Sequence, residues 1–561
     1  MRWAAIALVG LWCAWTCESG GATTARPVRG AIATVHPLAT AAGLDAFASG
    51  GNAVDACVAA ALTLGVVDGH NSGIGGGCFI LIAMSDGRKV CIDGREMAPI
   101  AATKDMYQRA GGIDPTLSKT GPLAIAVPGA LAAYAHALEQ FGRLPLRDAL
   151  QAGIKHADGG FAIDRNFARR LKTSAADLAR FPATRQIFLK PDGLPYAEGD
   201  SLIQKDLAST YRAIAEHGPT WFYRDAFPKT CEDHLAKTGG ILKSRDFEGY
   251  RVKIRTPLIS RYRRWMVLGA PPPSSGGVHI AQMLNILEQF ALDRLPQDSP
   301  AMAHLLIEAM KLAFADRAHW LGDPEFTNVP QALIEKRYGA ILSLRIDPGK
   351  VTPVPSHGDP PDWQSRHFEK HTTHISVADD LGNWVACTAT INTPFGSKCV
   401  MPGTGVLMNN QMDDFSISAD VPNSFNLVGG EANAIVPRKR PLSSMSPTLV
   451  VEDGRVIMAI GASGGPTIIS QTLLGLVRCL DHGMPAAEAL GQPRFHHQWS
   501  PDRVRIENTY PDDFREQLER MGHHLEVVGP FGACQIVAVD ATNGLHAAVD
   551  PRVSGEAGSR R

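Results

Sequence analysis

The chain has 561 residues, with 45% hydrophobic and 20% charged residues, enough apolar material for a sizeable core and too much for a disordered or fibrous chain. Its 55 Lys+Arg against 56 Asp+Glu give a formal net charge of -1, which argues against broad nucleic-acid binding or a charge-driven membrane surface. No apolar run reaches the ~18–20 residues of a spanning helix.

Met1-Arg2, the apolar run Trp3–Trp15 and the small residues up to Ala25 have the layout of an export signal, residues 1–25, predicting a periplasmic or extracellular protein. Eight cysteines follow the signal, at 57, 78, 91, 231, 387, 399, 479 and 534. None forms a C-x-x-C pair, and spacing assigns no disulfide among them. Asn52 followed by AVDACVAAALTLGVV predicts an N-capped, buried helix over 53–67. A Gly-rich loop at 71–77 leads into two strand-like runs, 79–84 and 89–93, joined by a turn carrying Asp86-Gly87.

Residues 125–345 read as mostly helical, 301–321 typically so, with the loop Pro271–Gly277 interrupting. Residues 346–370 hold five Pro and read as a surface linker. Beyond 371 three hairpins are predicted, 375–379 with 383–391, 448–452 with 455–460, and 534–540 with 545–550. Helices over 468–482 and 512–521 lie between them. Hairpins imply antiparallel sheets, whose outer faces helices must cover. Two stacked antiparallel sheets with helices outside are therefore the expected α+β architecture.

The first of these hairpins predicts more than topology. A three-residue loop with Gly382 in the left-handed position sets Asp379 opposite Asn383, and the same register sets Thr372 opposite Thr390. Thr373, His374 and Asn392 gather at that end, and the polar run Asn409–Asp414 follows. Gly461-Ala462-Ser463-Gly464-Gly465 fits G-x-S-x-G, yet the strand before it looks like a hairpin arm, whereas a nucleophile elbow needs a parallel sheet. The Gly464 and Gly465 N–H groups suit an oxyanion hole instead, and Pro466 ends the donor set. The 71–77 loop lacks phosphate-loop spacing. No H-E-x-x-H is present, and His496-His497 and His523-His524, being adjacent pairs, read as packing or solvent contacts. No metal or cofactor is expected.

A series of motifs then gives the chain a resemblance. GGNAVDACVAA from Gly50, SGIGGG from Ser72, DGREMAP from Asp93, PPPSSGGV from Pro271 and HLLIEAMKLAFADRA from His304 are followed by TTHISV from Thr372, NNQMDDFS from Asn409, RPLSSMSPT from Arg440, GASGGPTII from Gly461 and PRFHHQ from Pro493. In this order they resemble the γ-glutamyltranspeptidases (glutathione hydrolases), N-terminal-nucleophile hydrolases of four-layer αββα fold.

The resemblance implies a precursor cut between His371 and Thr372 into a large subunit, 26–371, and a small one, 372–561, that together form one αββα unit. It implies that Thr372 is the nucleophile, oriented by Thr390, that Gly464 and Gly465 form the oxyanion hole, and that Arg95, Ser443 and Ser444 bind the α-carboxylate of the γ-glutamyl group. Asn392, Gln411 and Asp414 would receive its α-ammonium. Glutathione or related γ-glutamyl amides would be the donors, and water, amino acids or dipeptides the acceptors. An acylase of the same fold, acting on glutaryl or poly-γ-glutamyl groups, is the alternative. Two departures stand out. Ser463 replaces a frequent Pro, and Phe425 falls where lidded relatives carry a Tyr, so it lacks the hydroxyl that would bond Asn392.

Overall fold

The computed structural model describes residues 29–361, 375–418, 421–540 and 544–560. The predicted signal, the scissile pair His371 and Thr372, and Thr373 and His374 lie outside these residues.

Two antiparallel sheets form the centre. The seven-stranded one runs, in spatial order, Glu556–Arg560, Gly30–Thr34, Ser376–Asp379, Trp384–Thr390, Gly77–Ala83, Lys89–Gly94 and Lys253–Arg255. The six-stranded one runs Leu545–Val549, Ala533–Val539, Arg455–Ser463, Thr448–Glu452, Trp265–Gly269 and Leu258–Tyr262. Period-two patterning explains their stacking. In the Gly77–Ala83 strand Leu81 and Ala83 face the other sheet while Ile80 and Ile82 face helices. In Thr448–Glu452, Leu449 and Val451 face inward while Val450 faces out. Ala31, Ala378, Ala386, Ala459 and Val537 complete the layer between the sheets. Small residues recur there, which lets the two sheets approach closely. The helices Pro37–Ala48, Ala53–Val67 and Ala130–Phe141 cover one outer face, and Gly276–Leu287, Pro300–Trp320 and Thr467–Leu480 the other. The result is the expected αββα sandwich.

Most local expectations hold, but the 125–345 stretch, read as mostly helical, also supplies the strands Lys253–Arg255, Leu258–Tyr262 and Trp265–Gly269 to the two sheets. Ala53–Val67 is buried along its whole length, and Asn52 and Asp55 form a reciprocal capping box at its start. Asp55 also accepts from the Arg143 and Leu144 backbone, so the cap ties this helix to the next segment. All three late hairpins pair as read, although residues 541–543 of the last turn lie outside the described residues. The first has Val377 opposite Val385 and Ala378 opposite Trp384, which is the predicted register. Gly382 sits at φ 89°, where a side chain would be strained. The eight described cysteines are unpaired, seven of them buried.

Two topological facts position the site. The turns after Asp379 and Glu452 lie at the same end of the stacked sheets, where they border a cleft of about 1030 Å³ lined by none of the candidate residues. The strands then run away from that end, so Thr390 and Ser463 both emerge at the opposite one.

Candidate active site

The Gly-rich loop lies directly beneath the end of the Trp384–Thr390 strand. A Cβ on Gly76 would fall 2.0 Å from the Thr390 carbonyl oxygen, and one on Gly75 would fall 2.1 Å from that of Leu407. These glycines therefore permit backbone-to-backbone packing, which explains the run without any phosphate. Ile391 N–H donates to the Asn71 carbonyl, and Asn409 N–H to that of Gly75. The loop thus fixes Thr390 and the 409–414 run against each other.

Thr390 Oγ1 accepts from the Asn392 N–H at 2.8 Å. Asn392 is held at φ 80°, and its Nδ2 donates to the Asn410 carbonyl at 3.1 Å. Gln411 Nε2 donates to Asp414 Oδ2 at 2.8 Å, leaving its buried Oε1 without a partner among the described residues. Arg95 is wholly buried and bonds the Asp414 carboxylate, the Pro441 carbonyl (3.0 Å), the Leu442 carbonyl (3.1 Å) and Glu96 (3.3 Å). A guanidinium in that setting is a specified anion site, since an unpaired buried charge would be prohibitively costly. Burial lifts Asp414 above the ordinary carboxylate range, and Arg95 opposes that rise.

Ser443 and Ser444 follow from the 440–442 segment that cradles Arg95. Ser443 is pinned by its carbonyl, which accepts from both the N–H and the hydroxyl of Ser275. Ser444 Oγ accepts from Arg317 Nη2 at 3.2 Å, and Arg317 Nε donates to Ser275 Oγ at 3.0 Å. Arg317 therefore joins the site, although the sequence reading gave it no role. Burial lowers it to about 10, and Asp414 opposes the shift. Glu96, beside Arg95, was missed as well. Burial pushes it up to about 7, and Arg95 opposes that. The available signal was charge on an element that must be buried, most clearly Arg317 on the Pro300–Trp320 helix.

Gly464 (φ 129°) and Gly465 (φ 64°) follow the last strand residue, Ser463, and precede the Thr467–Leu480 helix. Thr467 Oγ1 holds the Gly464 carbonyl at 2.8 Å and the Ile468 N–H holds that of Gly465 at 3.1 Å. Both carbonyls are thus turned into the helix start, and neither glycine N–H has a partner among the described residues. Ser463 itself is exposed, on a strand whose neighbours are both antiparallel, so the elbow reading fails on topology. Phe425 lies over Gly465, with its ring 2.6 Å from where a Cβ would stand. Gln498 Nε2 holds the Phe425 and Asn426 carbonyls at 3.1 Å, and Asp413 accepts from the Ser424 N–H at 2.9 Å. The 423–427 loop therefore links the Asn409–Asp414 run to the Gly464-Gly465 turn. The residues brought together are thus Arg95, Thr390, Asn392, Gln411, Asp414, Ser443, Ser444, Gly464 and Gly465.

Comparison with known proteins shows which family the chain resembles. The family profile described as Gamma-glutamyltranspeptidase matches residues 39–559. The glutathione hydrolase proenzyme of Escherichia coli (strain K12) is 41% identical over 530 residues, 94% of this chain and 91% of the relative. An acylase ACY 1 proenzyme of Pseudomonas sp. (strain V22) is 39% identical, over 91% of this chain and 89% of the relative. Among solved structures, a cephalosporin acylase from Bacillus halodurans superimposes with a TM-score of 0.84 at 28% identity, covering 97% of this chain and 99% of that one. The γ-glutamyltranspeptidase of Helicobacter pylori gives 0.57 at 36% identity, covering 60% and 96%.

Proposed function

The chain belongs to the γ-glutamyltranspeptidase family, and from that premise we propose a residue-level account of how it works as a glutathione hydrolase and γ-glutamyl transferase. The hydroxyl of Thr372 first attacks the His371 carbonyl. The peptide nitrogen leaves as an amine, and water opens the resulting ester, freeing a Thr372 that carries its own base. A threonine hydroxyl is a weak nucleophile, but an α-amine with a reference pKa of ~7.7–8.0 takes its proton at neutral pH.

In turnover, Thr372 Oγ attacks the γ-carbonyl carbon and its proton passes to that amine. The Gly464 and Gly465 N–H groups receive the oxyanion. Collapse breaks the C–N bond, the departing amine takes the proton, and a γ-glutamyl ester remains on Thr372. Water or an acceptor amine then attacks the ester by the reverse proton path. The side chains gathered around Arg95 supply selection: Arg95, with Ser443 and Ser444, receives the α-carboxylate, and Asp414, with Gln411 and Asn392, receives the α-ammonium. A zwitterionic head would thus replace the direct Arg95–Asp414 contact with two contacts of its own.

That buried pair of opposite charges is the observation that carries the amino-acid-head reading over the acylase alternative, because a glutaryl group offers no ammonium to Asp414. The proposed subunits are 26–371 and 372–561, exported to the periplasm or medium. The test compares Thr372→Ala with Ser463→Ala, on gels and with γ-glutamyl-p-nitroanilide and glutaryl-p-nitroanilide. Thr372→Ala is expected to stay one uncut chain without turnover, Ser463→Ala to be cut and active, and the γ-glutamyl compound to be preferred. An active Thr372→Ala protein, or preference for the glutaryl compound, would contradict the account.

A further inference from the structure

The sequence reading treated His523 as a packing or solvent contact. In the fold it meets the Pro300–Trp320 helix from 219 positions away, with its Nε2 2.8 Å from His304 Nδ1. His304 and Glu308 stand four residues apart and so share one helix face. A nitrogen of each histidine and a carboxylate oxygen of Glu308 all lie within 4.8 Å of one another. His304 is 0%, Glu308 1% and His523 5% exposed. Buried imidazoles and a carboxylate are costly unless hydrogen-bonded or paired, and here two chain segments far apart in sequence bring them together.

With both rings neutral, the hydrogen bonds order the protons. His304 Nε2 faces the Asp347 carbonyl oxygen at 2.8 Å and can only donate to it. His304 Nδ1 therefore presents a lone pair, and His523 Nε2–H donates into it. A backbone carbonyl that holds one ring nitrogen while the other points into a cluster of donors is the orienting arrangement found around metal-bound histidines. We propose that His304, Glu308 and His523 bind a divalent first-row metal, best zinc, in a site remote from the active site that joins residues from both sides of the proposed cleavage point.

Two imidazoles, one carboxylate and a water make a tetrahedral zinc set. Binding requires one tautomeric change, the His523 proton moving from Nε2 to Nδ1. At Zn–N distances of ~2.0–2.1 Å the two nitrogens must part to ~3.3 Å, about half an ångström beyond their present separation. Glu308 now pairs with Lys311 at 2.6 Å and accepts from the Thr352 N–H at 3.1 Å. A carboxylate has roughly four lone-pair sites, so it can keep these partners and still give the metal an oxygen. The Lys311 ammonium competes for the same charge and is a built-in weakener. Arg317 lies thirteen residues further along the same helix than His304, ~20 Å at 1.5 Å per residue, so zinc is not expected to touch the chemistry.

The joining of two cut pieces rests on the cleavage reading, whereas binding does not. Metal-free full-length protein, stripped with a chelator, is titrated with zinc alone, and binding is followed by calorimetry and by thermal unfolding. One zinc per chain and a raised unfolding midpoint are expected, with γ-glutamyl turnover at room temperature unchanged. His523→Gln and Glu308→Gln should each lose more than the ~10–100-fold that removal of an orienting partner costs. His217→Gln, at an exposed histidine, should lose nothing, and Lys311→Gln should bind more tightly. Cobalt substituted for zinc should show four-coordinate visible absorption that His523→Gln abolishes. No binding, binding untouched by His523→Gln and Glu308→Gln, or weaker binding in Lys311→Gln would overturn the site. Each would leave the γ-glutamyl reading standing, since an uncut chain would still bind zinc.

Discussion

Asp414 connects electrostatics to selection. Burial raises its pKa, and a carboxyl so raised is ionised only above that raised value. As pH falls, Asp414 therefore protonates earlier than an ordinary carboxylate and loses its attraction for an ammonium. KM for γ-glutamyl-p-nitroanilide should rise on the acid side, measured as a KM–pH profile. Asp414→Asn should raise KM by ~10–100-fold, the worth of one charge-assisted hydrogen bond, and flatten that profile. An unchanged profile in the variant would place the titrating group elsewhere. Glu96 carries a stability consequence. Its pKa goes from 4.5 unfolded to about 7 folded, so the folded state holds the extra proton between these values and stability falls as pH rises across them. In Glu96→Gln, unfolding midpoints should fall less between pH 4.5 and 7 than in the unsubstituted protein, as calorimetry at several pH values would show.

At the scale of elements, the turn after the Arg455–Ser463 strand is the most exacting. Gly465 adopts a left-handed φ of 64° under the Phe425 ring. Gly465→Ala should add ~1–2 kcal/mol of backbone strain and a ring clash, lowering both the unfolding midpoint and kcat. Adding Phe425→Ala should return the part due to the clash, and no recovery would mean that the backbone alone is strained. This turn also shows what a sequence can and cannot reveal. Gly382, Asp453-Gly454 and the Asn52 cap act through neighbours a few positions away, so hairpins, register and helix start were all readable. The packing of Phe425 on Gly465 joins segments forty residues apart, and only the tertiary fold creates it. Asn392, which lacks a tyrosine hydroxyl to meet, bonds the Asn410 carbonyl instead.

For the molecule as a whole, the hairpin signals indicated antiparallel sheets with helices outside, and burial on both faces leaves strands such as Gly77–Ala83 apolar along their whole length. Which strand joins which sheet did not show. The first sheet interleaves Gly30–Thr34 and Glu556–Arg560 with central hairpins, a pairing set by packing across more than 500 residues rather than by any turn. Arg317 and the His304–His523 contact went unread for the same reason: their partners, Ser275, Ser444 and the facing histidine, are distant in sequence, and a buried polar residue in a helix says that a partner exists without saying which. The motif order conveyed the remaining roles through resemblance, and the fold brings those of the named residues that it describes to one end of the sandwich. If the proposed cut occurs, the interdigitated sheets should hold both pieces together.

The most direct test of the central claim is the sequence of the smaller fragment's first residues, read together with intact masses of the purified, active protein. The account predicts two chains, the smaller beginning Thr372-Thr373-His374. A continuous chain of full activity, or a small fragment starting at any other residue, would contradict it.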